Sequence, residues 1–222
     1  MKTAIYHFTQ NENKEYQKVL ADLKKYANDQ NMIISKIFLD NSPLRYRRKE
    51  FDNFLSSNED YNALIVKDFY HISKNTMKCM SILKDMQNRG IDVHSLNDGI
   101  IKFFQPDFNK PLRVATYSRH LGVTQKGNDI IPLKNDILNL FIKKETNWSL
   151  VDQYSDESNQ EKYAAQLQLI DLIKNKDKYD LIVVHNLNDL NWRTAKFIKV
   201  MNDLNLDVYS LQEGLIKITR SD

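Results

Sequence analysis

Residues 61–78 read YNALIVKDFYHISKNTMK, and residues 179–196 read YDLIVVHNLNDLNWRTAK. Each stretch opens on a tyrosine, runs through a short apolar block, crosses a polar turn and enters a second segment. An unbroken apolar run bounded by turns is the pattern of a strand buried on both faces. After the first stretch, Cys79, Met80, Leu83 and Met86 recur at helical spacing, which predicts a helix from about Asn75. Gly90 supplies its C-terminal stop.

The match extends in both directions. IDVHSLNDGIIK ending at Lys102 parallels LDVYSLQEGLIK ending at Lys217. Upstream, AIYHF from Ala4 parallels ATYSR from Ala115, and FLDNS around Asp40 parallels LVDQYS around Asp152. Matched blocks in the same order predict a duplication of about a hundred residues. In the first copy, Thr3–Phe8, Ile33–Leu39, Ala63–Val66 and Asp92–Leu96 read as strands. Helices are expected at Lys14–Asn28, with Tyr16, Val19, Leu20 and Leu23 on one face, and at Arg48–Ser56, with Phe51, Phe54 and Leu55 inward. The second copy repeats the scheme, with its long helix near Leu133–Lys144. Alternating strands and helices imply a mostly parallel sheet flanked by helices. The fold expected is α/β, with one domain over 1–102, a proline-containing linker over 103–111 and a second domain over 112–222.

Composition narrows the function classes. The chain has 222 residues, 27% of them charged, with 5 Gly and 4 Pro. That is the balance of an ordinary globular protein. No apolar run reaches the length of a membrane span, and MKTAIYHFTQ lacks the apolar core of a signal peptide, so no membrane partner is expected. A single cysteine, Cys79, builds no disulfide framework, which points to a cytoplasmic, reducing setting. On a helix face with Met80 and Leu83 it reads as packing. The histidines at 7, 71, 94, 120 and 185 lack the spacing of a metal site, so no metal and no cofactor are expected. The net charge of +3 does not announce a nucleic-acid binder, although the basic excess lies in the first half, densest at Arg45, Arg47, Arg48 and Lys49.

These blocks resemble the catalytic domain of the serine recombinases, the resolvase/invertase family. That domain opens on a strand of the form A-x-Y-x-R-x-S and continues through D-x-x-S-G and R-x-x-L. It then carries L-D-R-L-G-R-D-T between a strand and a helix, and D-D-G-I near a later strand. The first half shows AIYHFTQ, DNSPLRYRRKEF, DFYHISKNT and NDGI; the second shows ATYSRHL, DQYSDESNQEKY, NLNDLNWRT and QEGL. The resemblance covers nearly the whole chain twice and implies two tandem resolvase-like domains.

In that family a serine hydroxyl attacks a DNA phosphodiester while several arginines hold the phosphate. Arginine suits this because its planar fork donates two parallel hydrogen bonds and stays charged. Residue by residue, the resemblance places Gln10 at the nucleophile and Phe8 at the first arginine of copy one. His71 and Lys74 take the signature arginines, Arg48 keeps the R-x-x-L arginine and Asp40 the acid. In copy two Arg119 keeps the first arginine, but Leu121 takes the nucleophile, Asp189 and Trp192 the signature arginines, and Gln160 the helix arginine. Neither glutamine nor leucine can attack phosphorus. Thr9 has a hydroxyl, but adjacent strand side chains point to opposite faces.

The catalytic set is therefore expected to be degenerate, with no catalytic residue at Gln10 or Leu121. Arg48, His71, Lys74, Arg45, Arg47 and Arg119 are the candidates for residual phosphate or DNA contacts, against the plainer reading of a polar turn and a solvated basic loop. Trp192 is read as a plug of the old pocket or a contact for a partner. The function expected is that of a non-catalytic pseudo-recombinase. It would act through protein contacts, with a recombinase or another protein of a mobile element as partner, and with self-association. The alternatives are a diverged strand-cleaving enzyme using Thr9 and a weak, non-specific DNA-binding module. No DNA-recognition module is evident in the sequence.

Overall fold

Ile5 and Tyr6 are neighbours in the chain and face opposite ways, and this alternation builds the first layer arrangement. Both lie on β1 (Lys2–Thr9) and are fully buried. Ile5 packs on Val19 and Leu23 of helix α1 (Lys14–Asp29). Tyr6 packs against Phe51 of α2 (Lys49–Leu55), with ring centroids 4.6 Å apart and the planes tilted by 40°. The period-2 alternation of a strand thus places one helix on each face of the sheet.

The computed structural model describes residues 1–9, 14–41, 48–105, 107–121, 130–158 and 166–219. The chain separates into two compact units. One comprises Met1–Lys74, Lys78–Ile101 and the residues from Thr219 on; the other comprises Lys102–Ile218 with Asn75–Met77. No described helix is long and apolar enough to cross a membrane.

In the first unit the strands are β1, β2 (Ile33–Asn41), β3 (Ala63–Val66), β4 (Asp92–Ser95) and the opening residues Gly99–Ile101 of β5 (Gly99–Phe104), ordered β2-β1-β3-β4-β5. The pairs β1/β2, β1/β3 and β3/β4 are parallel, and β4/β5 is antiparallel. Helix α3 (Thr76–Asn88) follows β3 and a 3-10 turn at Phe69–His71. Gly90 stops it at φ +75°, a conformation in which a Cβ is strained. Cys79, Met80, Leu83 and Met86 are all buried, as the helical spacing requires.

The second unit is built from β6 (Leu112–Leu121), α4 (Ile130–Lys144), β7 (Trp148–Ser158), α5 (Leu167–Lys174), β8 (Leu181–Val184), α6 (Thr194–Leu204), β9 (Asp207–Ser210) and β10 (Gly214–Thr219). Its strand order is β7-β6-β8-β9-β10, again parallel apart from the last pair. Leu138 and Ile142 of α4 close over Val114, Trp148, Leu181 and Val183.

The agreement between the two orders reaches single residues. The β1/β2 register slips between Thr3 and Ala4, where Ser35 is passed over, and the β6/β7 register slips between Val114 and Ala115, where Val151 is passed over. Such bulges re-aim every later side chain of a strand. Gly99 and Gly214 open the last strand of each unit at φ +87° and +96°. Before each, an acid closes the turn. Asp98 accepts from the Phe69 amide and Ser95 Oγ, and Glu213 accepts from the Leu187 amide and Ser210 Oγ.

Two expectations change. The final antiparallel strands β5 and β10 extend the fold beyond the four strands read per copy. The linker read at 103–111 also gives way, because Phe103 and Phe104 belong to β5 and Phe108 stacks on Trp148 at 5.4 Å. Aromatic surface of this size is withdrawn from water rather than left in a tether.

Candidate functional site

The candidate residues of the first unit gather where β1 and β3 end, because parallel strands put their following loops at one edge of the sheet. Arg48 stands immediately before α2, and its guanidinium lies over Phe51, 4.4 Å from the ring centroid. Its Nε donates to the Tyr6 hydroxyl at 3.1 Å, and its two terminal nitrogens donate to the backbone carbonyls of His71 and Ile72. The fork that would hold a phosphate therefore holds the 3-10 turn. Asp40, buried at the end of β2, accepts from the Glu50 and Phe51 amides at 2.9 and 3.1 Å. It satisfies the exposed first turn of α2, where a carboxylate is electrostatically favoured. Burial pushes the Tyr6 hydroxyl well above its usual pKa, opposed by Arg48.

His71 lies in the turn itself. Its Nδ1 meets the Asp68 carboxylate at 2.8 Å, and that carboxylate also accepts from the His71 amide. Its ring is 5.3 Å from the ring of His7, which is on the α1 side of β1. Lys74 is exposed, with its ammonium 5.0 Å from the Tyr70 ring centroid. Of the predicted contacts, the fold brings Arg48 and His71 together through the backbone of the turn and leaves Lys74 at the surface. Gln10, Arg45 and Arg47 lie outside the described residues. Cys79 is fully buried, with Sγ 3.5 Å from the Phe69 carbonyl, in keeping with packing.

The second unit rebuilds the same arrangement from other residues. Tyr117 on β6 donates to Asp156 at 2.9 Å and accepts from Gln166 Nε2 at 3.1 Å. Gln166, immediately before α5, also donates to the Leu190 carbonyl at 2.8 Å. Asp156 accepts from the Gln168 and Leu169 amides, as Asp40 does from Glu50 and Phe51. Two sequence pairings are corrected by this geometry. The counterpart of Asp40 is Asp156, not Asp152: Asp40 pairs with Phe8 of β1 and Asp156 with Arg119 of β6, because the stretch from Ala115 to Val151 is 5 residues longer than that from Ala4 to Ser35; Asp152 instead accepts from the Tyr179 hydroxyl. The counterpart of Arg48 is Gln166, whereas Gln160 lies outside the described residues.

At the position matched to His71, the second unit carries Asp189, only 4% exposed. Lys134 of α4 donates to one of its carboxylate oxygens at 2.6 Å and also to the Arg119 carbonyl. The other oxygen, Oδ2, is buried without a hydrogen-bond partner. Burial raises the Asp189 pKa, while Lys134 pulls it down. Neither Lys134 nor Gln166 was singled out in the sequence, and only the fold brings them to the site. Arg119 is 7% exposed on the Tyr117 face of β6, and Leu121 is the last residue of that strand. Trp192 is half-buried, with the Arg193 guanidinium 4.7 Å from its ring centroid.

The family model described as resolvase, N-terminal domain, matches residues 8–112, the stretch that holds Arg48, His71 and Lys74. This supports the resemblance read in the first half. No curated protein matches the sequence. Among solved structures, the chain is similar to the N-terminal catalytic domain of TP901-1 integrase, at 17% identity and a TM-score of 0.40, over 65% of this chain and 99% of that one. A resolvase family site-specific recombinase from Streptococcus pneumoniae matches at 14% identity and 0.39, over 66% and 93% of the two chains. A myo-inositol binding protein from Caulobacter matches at 12% and 0.31, over 95% and 74%.

Proposed function

We propose that the chain is a tandem of two diverged resolvase-type domains that serves DNA recombination or a mobile element through protein contacts and does not cleave DNA. The observation that carries this reading is the commitment of Arg48 to the carbonyls of His71 and Ile72. An arginine so engaged holds a loop, and releasing it to a phosphate would strand buried carbonyls. In the second unit a neutral glutamine does that work, and Asp189 brings a carboxylate to the place of a phosphate-binding arginine. That carboxylate takes up the Lys134 ammonium and donates nothing to a phosphodiester. Losing one preorganised transition-state donor typically costs about two to three powers of ten in rate, and here donors and nucleophile are replaced together.

The shared strand order, the shared bulge and the paired acid-closed turns support the duplication. The protein-contact part of the reading draws on α4. Leu133, Ile137 and Leu140 share its outer face and are exposed, whereas α1 turns Gln17, Lys18, Asp22, Lys24 and Lys25 to solvent. Exposed apolar stripes of this kind mark interaction surfaces.

Incubation with supercoiled DNA tests the proposal. Neither nicks nor a covalent DNA–protein adduct are expected. An adduct that disappears in Thr9→Val would instead identify a threonine nucleophile and overturn the non-catalytic reading.

A further inference from the structure

Helix α4 carries Leu133, Ile137 and Leu140 on its outer face, 59%, 36% and 60% exposed, while Ile131, Leu138 and Ile142 are buried. With Lys144, which is also exposed, the outer residues follow the i, i+4, i+7, i+11 spacing of one continuous stripe. Helix α1, the first helix of the other unit, turns Lys18, Asp22 and Lys25 outward instead. The stripe on α4 is therefore apolar surface that its own unit does not use for a core.

Charge decides what fits this stripe. Its spacing is that of alternating heptad positions, with Leu133 and Leu140 at d and Ile137 and Lys144 at a. Asp136 and Lys143 then fall at g, both exposed and on the same side of the stripe. Two copies of α4 laid antiparallel about a two-fold axis put each Ile137 against Leu140 of the second copy. In that register each Leu133 meets the Lys144 stem of the second copy, which covers it while the ammonium stays in water. The same register brings Asp136 of each copy to Lys143 of the other, so the two-fold makes two contacts of opposite charge. A parallel pair would set Lys144 against Lys144. A purely acidic or purely basic helix would match only one of the two border charges. The stripe is complementary to itself, which is what an isologous contact requires.

We propose that α4 is a self-association surface, on which two copies of the chain pair antiparallel through Leu133, Ile137 and Leu140, framed by Asp136–Lys143 ion pairs. This names the occupant of the face on which the protein-contact reading draws, and it rests on that reading. A helix of 15 residues is about 22 Å long. A contact centred on it lies at or below the low end of specific interfaces, about 1,200 Å² in total, so the dimer is weak and reversible.

Sedimentation velocity of the full chain over about 1–500 µM tests the proposal. The weight-average mass should rise with concentration from that of the monomer toward twice that value. Leu140→Glu, at an exposed position, should weaken association by at least about tenfold. Asp136→Lys and Lys143→Asp should each weaken it by roughly fivefold or more, because each variant alone sets like charges at both contacts. An equimolar mixture of those two variants sets opposite charges at both contacts and should recover most of the loss, which also shows that both are folded. Leu167→Glu, at an exposed leucine of α5, should leave association unchanged. A monomer throughout the range, association indifferent to Leu140→Glu, or a mixture no stronger than its components would overturn the pairing. None of these results touches the non-catalytic reading, which falls only if DNA is cleaved.

Discussion

Gln166 occupies in the second unit the place that Arg48 occupies in the first. Each precedes a short helix, donates to the hydroxyl of a β-strand tyrosine and donates to the carbonyls of a 3-10 turn. The two side chains share hydrogen-bonding reach and differ in charge. What the two units share is therefore the bracing of the turn, and charge is the property in which they differ.

Replacing either brace should cost stability. Arg48→Ala leaves two carbonyls and the Tyr6 hydroxyl short of donors, and a loss of about 2–3 kcal/mol is expected in urea unfolding. Gln166→Ala removes a neutral donor and should cost about 1–2 kcal/mol. Arg48→Gln should recover part of the first loss, because the second unit already uses that residue for the same bonds.

Acid should destabilise the first unit through His7. Its pKa is lowered from 6.5 to about 4, first by burial and then by His71 and Lys67, with Asp68 opposing. The unfolded chain therefore binds a proton that the folded chain refuses between those values. The contribution is complete above pH 6.5 and is lost as pH falls toward 4, on the order of 2–3 kcal/mol in all. Unfolding free energies measured across this range should slope upward with pH, and the slope should flatten in His7→Gln.

The Lys134–Asp189 pair should behave as a buried ion pair. Lys134→Met strands the carboxylate and should cost about 3–5 kcal/mol, while Lys134→Met with Asp189→Leu should cost far less. Thermal unfolding of the two singles and the double separates pairing from packing. A loss in the double variant equal to the sum of the two single losses would mean that the two side chains act independently.

Much of the fold was legible because buried strands and amphipathic helices leave periodic traces. The reading of Lys14–Asn28 as helix and Ala63–Val66 as strand agrees with the structure to within a residue. The last strand of each unit was missed, since GIIKFF and GLIKIT follow a turn that depends on a positive-φ glycine rather than on any periodicity. Asp156 and Gln166 were passed over because letter matching ignores the longer stretch between β6 and β7 and the different loop length before α5. Lys134 was invisible, being supplied by a helix that carries no family signature.

Duplex DNA should bind weakly or not at all near physiological salt. If the cluster of Arg45, Arg47 and Arg48 did act on DNA, binding would be sequence-independent, steeply salt-sensitive and roughly 10⁻⁴–10⁻⁶ M. Labelled duplex titrated at two salt concentrations, with the wild type and with these three arginines changed to alanine, distinguishes the outcomes. Tight, sequence-selective binding would reveal a recognition activity that the account does not contain.

The central claim is that Arg48 supports the chain and does not hold a phosphate, and the guanidinium can be observed directly. In ¹⁵N NMR, Arg48 Nε–H should exchange slowly with water, and its resonance should stay in place as inorganic phosphate or a short DNA duplex is added. A saturable shift of that resonance, with loss of its protection, would show the guanidinium leaving the carbonyls of His71 and Ile72 for a phosphate, and would contradict the account.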